Sequence, residues 1–179
     1  MQILSLPRPV AGDHSPGMAG YVAAAPDLHD PVRLLTMQRD GLRQRLSGLP
    51  AARASFRYAE GKWSVREVVG HLSDAERVFQ YRLMRIGRGD QTPLEGFDEN
   101  TYVPAGDFEQ RAMEDVVQEW ATVRNATLAL VMGLPSGAWT HSGTANGKKV
   151  TMAALVYVIY GHVEHHLKIL TDKYGVAGS

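Results

Sequence analysis

From residue 31 onward, apolar side chains return every three or four positions in four long stretches, the period of helices that bury one face. In the first, Val32, Leu34, Leu35, Leu42 and Leu46 stand among Arg and Gln, predicting a helix over about 31–47. Asp30 is its N-cap, Pro31 its first helical residue and Gly48-Leu49-Pro50 its stop. The second, from Val65 to about Ile86, opens on Ser64-Val65-Arg66-Glu67, a capping box, with Trp63 and Val68 placed as a hydrophobic staple. The third carries Met113, Val116, Val117, Trp120, Val123, Leu128, Leu130 and Val131, and is expected to run from an Asp107 cap to Gly133-Leu134-Pro135. The fourth starts at a Thr151 cap and runs to Lys173-Tyr174-Gly175, where Gly175 is the natural terminator.

The segments between these stretches lack a period. Residues 1–26, with Pro7, Pro9, Pro16 and Pro26, read as an irregular arm, and residues 27–179 as the packed domain. The connection 91–106 is longer than most loops between packed helices, a mild pointer to function. Residues 136–149 are polar and glycine-rich, and Asn146-Gly147 suits the type I′ turn of a short hairpin before the last helix. Four amphipathic helices with no strand longer than a hairpin predict an all-α four-helix bundle.

Composition narrows the function classes. The chain has 179 residues, 44% of them hydrophobic, enough for one core without disulfides or structural metals. Nineteen basic residues balance nineteen acidic ones, so no net field draws in nucleic acid or an anionic membrane. With no cysteine there is no thiolate ligand and no cysteine nucleophile. The start of the chain lacks a secretory signal, and the longest apolar run, Met152 to Tyr160, is too short to span a membrane. A soluble cytoplasmic protein is the expectation.

The chemistry concentrates at Gly161-His162-Val163-Glu164-His165-His166, which holds three of the seven histidines. On a helical wheel, His166 lies about 40° and His162 about 80° from the centre of the buried stripe, while His165 lies about 140° away. His162 and His166 thus share a flank one turn apart, the spacing with which a helix offers two nitrogens to one ion. His71, at a flank of the second helix about 80° off its stripe, is the candidate third member. Such histidines are also read as plain core-edge residues, and no HExxH motif is present. Glu76 falls on the buried stripe and needs a partner, either a ligand imidazole N–H or an arginine; with Asp74 it is a candidate for orienting a ligand. His14 and His29 read as solvated, and His141 as a loop residue that can line a site beside the last helix. Trp63, Trp120 and Trp139 read as core and staple residues. Arg82, Arg85 and Arg88 read as a solvated face, and Asp98, Asn100 and Tyr102 as polar loop residues able to orient a substrate.

Lys62-Trp63-Ser64-Val65-Arg66-Glu67-Val68-Val69-Gly70-His71-Leu72-Ser73-Asp74-Ala75-Glu76, followed far downstream by Gly161-His162-Val163-Glu164-His165-His166-Leu167, resembles the DinB/YfiT-like family of metalloenzymes over roughly residues 28–174. Trp-Ser, a helix with a His-Leu-x-Asp step and a C-terminal HxxHH are specific in combination. The resemblance implies an up-down-down-up four-helix bundle, often dimeric, with one divalent ion on three histidines. Carried onto this chain these are His71, His162 and His166, with His165 not a ligand. Family members are described as metal-dependent hydrolases, and some relatives are transferases or isomerases that use mycothiol, bacillithiol or glutathione. The expectation is therefore an open three-histidine site for Zn, Ni, Fe or Mn. It belongs to a homodimeric hydrolase or low-molecular-weight-thiol S-transferase acting on a small molecule. The rival is a non-catalytic, stress-related binding or dimerisation bundle whose metal is structural or absent.

Overall fold

The computed structural model describes residues 5–176. In chain order these form α1 (Ala19–Ala24), α2 (Pro31–Leu46), α3 (Ala51–Ala54), α4 (Val65–Gly87), α5 (Glu99–Ala105), α6 (Met113–Gly133), a hairpin of β1 (Ser142–Ala145) and β2 (Lys148–Thr151), and α7 (Met152–Asp172). The local signals operate as chemistry. Asp30 accepts from Arg33 N at 3.0 Å, and Thr151 Oγ1 from Ala154 N at 3.2 Å. At the start of α4 both arms of the capping box are made, Glu67 N to Ser64 Oγ at 3.1 Å and Ser64 N to Glu67 Oε2 at 2.8 Å. Asn146 and Gly147 take φ of 49° and 68°, the paired left-handed conformations that close a two-residue turn between Ala145 and Lys148.

Side-chain pairs fix the directions of the four long helices. Arg39 reaches Asn125 and Arg43 reaches Gln118, so α2 and α6 are antiparallel. Arg66 meets Glu109 just ahead of α6, Glu76 meets Arg124, and a Cβ on Gly87 would touch Leu134, so α4 and α6 run parallel. Trp63 O accepts from Tyr174 Oη while Gly87 lies against Met152, so α4 and α7 are antiparallel. This is up-down-down-up. Two consecutive helices in the same direction require a long return, which is what the connection 88–112 supplies.

The bundle core is two apolar clusters stacked along the axis. One gathers Leu35, Phe79, Leu83, Leu128 and Leu155 toward the hairpin, the other Leu46, Leu72, Val117, Trp120 and Leu170 toward the opposite end. Between them along each helix fall buried polar residues: Gln38 on α2, His71 and Glu76 on α4, Arg124 on α6, His162 and His166 on α7. Polar groups at mid-bundle are expensive unless answered, which marks this layer as the place to look for function.

Three details depart from the sequence expectation. α6 begins at Met113, not after Asp107, which has φ of 46° and leads a 3-10 turn, Phe108–Gln110. That turn buries Phe108 against Gly70, where a Cβ would stand 2.5 Å from the ring; burial of an aromatic side chain outweighs a few more residues of helix. The connection 91–106 contains α5, capped by Asp98, which accepts from Asn100 N at 3.0 Å. Arg82 is not solvated but 4% exposed, because Leu94 pairs with the hairpin through Leu94 N to Thr144 O and Asn146 N to Leu94 O, laying residues 93–97 across α4. Within the arm, α1 packs on α7, and Tyr157 Oη both accepts from Leu28 N and donates to Leu6 O. No helix of the described residues is long and apolar enough to cross a membrane.

Candidate metal centre

α4 contributes His71 and α7 contributes His162 and His166, one turn apart on the face turned toward α4. All three are buried, and one nitrogen from each falls within 4.8 Å of the other two. His71 Nε2 and His162 Nε2 stand 3.1 Å apart. His165 is exposed, as its phase on the helix requires, and its ring meets Tyr21 edge-on at 5.5 Å. Around the cluster lies a cavity of about 290 Å³ walled by Trp63, Phe79, Phe97 and Tyr21, with Glu99 the carboxylate among its lining residues. Trp63 lies 4.9 Å from the His71 ring, and Phe79 and Tyr21 stand edge-on to His162 at 5.5 and 5.2 Å.

This enclosure sets the protonation state. Burial pulls His71 down to about 4 against the opposing pull of the Glu99 carboxylate, with a smaller lowering from His165. Burial and then the His71 and His165 rings bring His166 to about 3. His162 lies well below the ordinary imidazole range, again from burial first and neighbouring imidazoles second. All three are therefore neutral near pH 7 and present lone pairs.

Neutral imidazoles converging on one point suit a divalent cation better than they suit each other. One 3.1 Å N–H···N bond between the Nε2 atoms is all that His71 and His162 can share. In a tetrahedral site with metal–nitrogen bonds near 2.0–2.1 Å, ligand nitrogens lie about 3.3 Å from one another, close to the 3.1 Å between His71 and His162. The set fits an ion on three histidines with at least one position left for water or substrate.

Other expected residues fall elsewhere. Glu76 is bound by the Arg124 guanidinium through Nε at 2.5 Å and Nη2 at 2.8 Å, and so does not orient a ligand imidazole; its partner is the arginine. Asp74 pairs with Arg77 on the surface at 3.4 Å. Asp98 caps α5, Asn100 bonds back to it, and Tyr102 packs on Phe97; none lines the histidine cavity. His141 Nδ1 lies 3.2 Å from Ile86 O and is not at the site either. His14 rests on Ser15 O and His29 is exposed. Trp120 is core, while Trp63 is a wall of the site.

Sequence reasoning missed Tyr21, Glu99 and Phe97, which come from an aperiodic arm and an aperiodic connection. One residue held a signal. Gly161 sits mid-helix beside His162, where glycine is unfavourable, and a Cβ there would stand 1.8 Å from Tyr21 O. The glycine lets α1 press directly onto α7 and brings the Tyr21 ring over the histidines.

The fold is similar to that of Bacillus subtilis YfiT, described as a probable metal-dependent hydrolase with an unusual four-helix bundle topology. That similarity has a TM-score of 0.70 at 18% identity and covers 81% of this chain and 86% of YfiT. A mycothiol-dependent maleylpyruvate isomerase is similar with a TM-score of 0.63 at 15% identity, over 82% of this chain. The chain spans only 64% of that isomerase's length. No curated protein matches. The DinB superfamily sequence model matches residues 34–170, from within α2 to the last turns of α7, and so takes in both histidine-bearing segments. With four long helices, this topology and that match, the chain belongs to the DinB superfamily.

Proposed function

We propose that this protein is a metal-dependent enzyme acting on a small molecule, with one divalent ion held by His71, His162 and His166. The observation that carries the reading is the convergence of three buried, neutral imidazoles in a walled cavity. Ligand type admits Zn, Ni, Fe or Mn. An ion bound there supplies a Lewis acid that polarises a substrate carbonyl or phosphoryl oxygen and acidifies a water or thiol beside it. The rest is the work of the protein's own groups. Trp63, Phe79 and Phe97 exclude water and seat an apolar substrate portion. Glu99 is the carboxylate on the cavity wall, placed to take a proton from the attacking group. The Tyr21 hydroxyl, its pKa raised by burial and then by Glu99, stays protonated and can donate to a developing oxyanion.

Hydrolysis is the leading reaction, supported by the acid–base group in the cavity and the likeness to YfiT. Thiol transfer is the second reading. With no cysteine in the chain, a sulfur nucleophile must come from a cosubstrate, as in the similar mycothiol-dependent isomerase. A homodimer is the assembly to test by light scattering. Elemental analysis of purified protein should give about one ion per chain, lost in His71→Ala and in His166→Ala. Wild type free of metal, with melting unchanged by added Zn, Ni, Fe or Mn, would leave only the non-catalytic bundle. Acceleration of a chlorobimane acceptor by protein plus a low-molecular-weight thiol selects transfer; ester or amide cleavage without thiol selects hydrolysis.

A further inference from the structure

On the outer face of α4, separated from the histidine cavity by Phe97, lies a second and larger hollow of about 460 Å³. Its floor is α4 and its far wall is the strip 93–97 that the hairpin holds in place. Three arginines line it, and they differ in how they are answered. Arg77 is bound by Glu119 at 2.7 Å and Asp74 at 3.4 Å, and Arg85 is engaged by Asp90 and by the Tyr81 hydroxyl. Arg82 has no carboxylate within reach among the described residues. It is 4% exposed, its Nη2 donates to Glu95 O at 2.9 Å, its guanidinium lies 5.9 Å from the Phe79 ring centre, and its Nε is buried with no partner. A fixed cation with little water around it and no counter-ion is costly for a fold to keep. The side chains around it are Tyr81, Phe97, Tyr102 and Leu94, with Glu95 on the exposed rim.

We infer that this hollow is a binding site for a small molecule carrying an oxyanion, a carboxylate or phosphate monoester, on an apolar or aromatic body. The oxyanion is recognised by Arg82 and the body lies among Tyr81, Phe97 and Tyr102. Arginine is the side chain suited to planar pairing with either anion, and the aromatic walls account for a body larger than a free inorganic ion. The assignment is independent of the histidine cluster. Bare charge on α4 is not what carries it, since Arg77 and Arg85 are neutralised locally.

The test uses full-length protein stripped of metal by chelation and dialysis, so that an anion on an ion at the histidines cannot report. Phenyl phosphate and benzoate are titrated separately while the Arg82 Nε–H resonance is followed by nitrogen–proton NMR, with inorganic phosphate and phenol as controls. Saturable movement of that resonance is expected, with phenyl phosphate or benzoate binding on the order of millimolar or tighter. The arm that binds more tightly distinguishes phosphate from carboxylate. Arg82→Gln should weaken that probe about ten-fold or more and leave phenol unaffected. Tyr102→Ala, half exposed and remote from the core, should weaken the aromatic probe and leave inorganic phosphate unchanged. No saturable binding of either aromatic probe, or equal binding by folded Arg82→Gln, overturns the site. If Arg82→Gln does not fold, unchanged aromatic-probe binding in Tyr102→Ala overturns it.

Discussion

At mid-bundle, Arg124 is fully buried and answered bond for bond. Glu76 takes its Nε and Nη2, and Gln38 Oε1 takes its Nη1 at 2.8 Å. Gln38 in turn donates to Tyr160 O at 3.0 Å and to Glu164 at 2.7 Å, so one chain of bonds ties α2, α4, α6 and α7. A little over one turn along α4, His71, His162 and His166 are also buried, yet they face one another with a single 3.1 Å contact and an orphaned Nδ1. The first cluster is complete within the protein; the second shares one bond among converging nitrogens, which the proposed ion would engage together. A fold tolerates unanswered polar groups where they serve a ligand, and the contrast separates a structural polar layer from a site.

The largest test of that contrast is pH. The histidines have folded-state pKa values below the ordinary 6.5, His71 at about 4 and His166 at about 3, so as pH falls the unfolded chain takes up protons first. Their contribution to stability is full above about 6.5 and is lost progressively below it, down toward the folded values. In metal-free protein each histidine adds a slope approaching about 1.4 kcal/mol per pH unit. Urea melts between pH 7 and 5 should show several kcal/mol lost, and a flat profile would falsify the neutral, buried assignment.

Next in size is the complete cluster. Arg124→Met strands Glu76 without its partner and should cost about 3–5 kcal/mol. Glu76→Leu combined with Arg124→Met removes both charges and should recover most of that loss, because a buried pair contributes little over well-packed apolar residues. A double variant no more stable than the single would mean that the wider bonds to Gln38 and Leu35 O, not the ion pair, hold the helices together.

These two clusters were unequally legible in the sequence. The histidines could be read because helical phase is local: residues one turn apart share a face whatever packs on it, and the same arithmetic put His165 outside. The capping box fixed the phase of α4 in the same local way. Arg124 could not be read as the partner of Glu76, since choosing among many arginines needs the parallel packing of α4 on α6. Arg82 was misread for a related reason. Its burial comes from residues 93–97, held by backbone bonds to a hairpin about fifty residues downstream, which leaves no trace in the periodicity of α4. Tyr21 and Glu99 reach the cavity from stretches with no period at all.

A smaller effect should separate the site from its cover. Gly161→Ala places a methyl group against Tyr21 O at a distance no backbone accepts, so α1 must move off α7. The cost should be about 1–3 kcal/mol, with the Arg124 cluster untouched. Limited proteolysis should then cut in the stretch around α1 well before it does in wild type, and the histidine rings should lose their contact with Tyr21 in the NMR spectrum. If the Gly161→Ala variant proved as protease-resistant as wild type, α1 would not be seated on Gly161 in solution.

The smallest expected change in stability is also the one that divides the clusters most sharply. His71→Leu removes a buried imidazole whose Nδ1 has no partner and fills the space with an apolar side chain; no charge is stranded, while His162 Nε2 loses its 3.1 Å bond. Without metal these two changes offset and the variant should lie within about 1 kcal/mol of wild type, unlike Arg124→Met. With a divalent ion at about a hundred times its dissociation constant, wild type should gain about 2.7 kcal/mol and the variant almost nothing. Adding the ion therefore opens a gap of about 2–3 kcal/mol between two proteins that were near parity. Packing alone predicts no such ion-dependent gap, and neither does a histidine cluster that is complete in itself; a site whose three nitrogens share one ion would produce it.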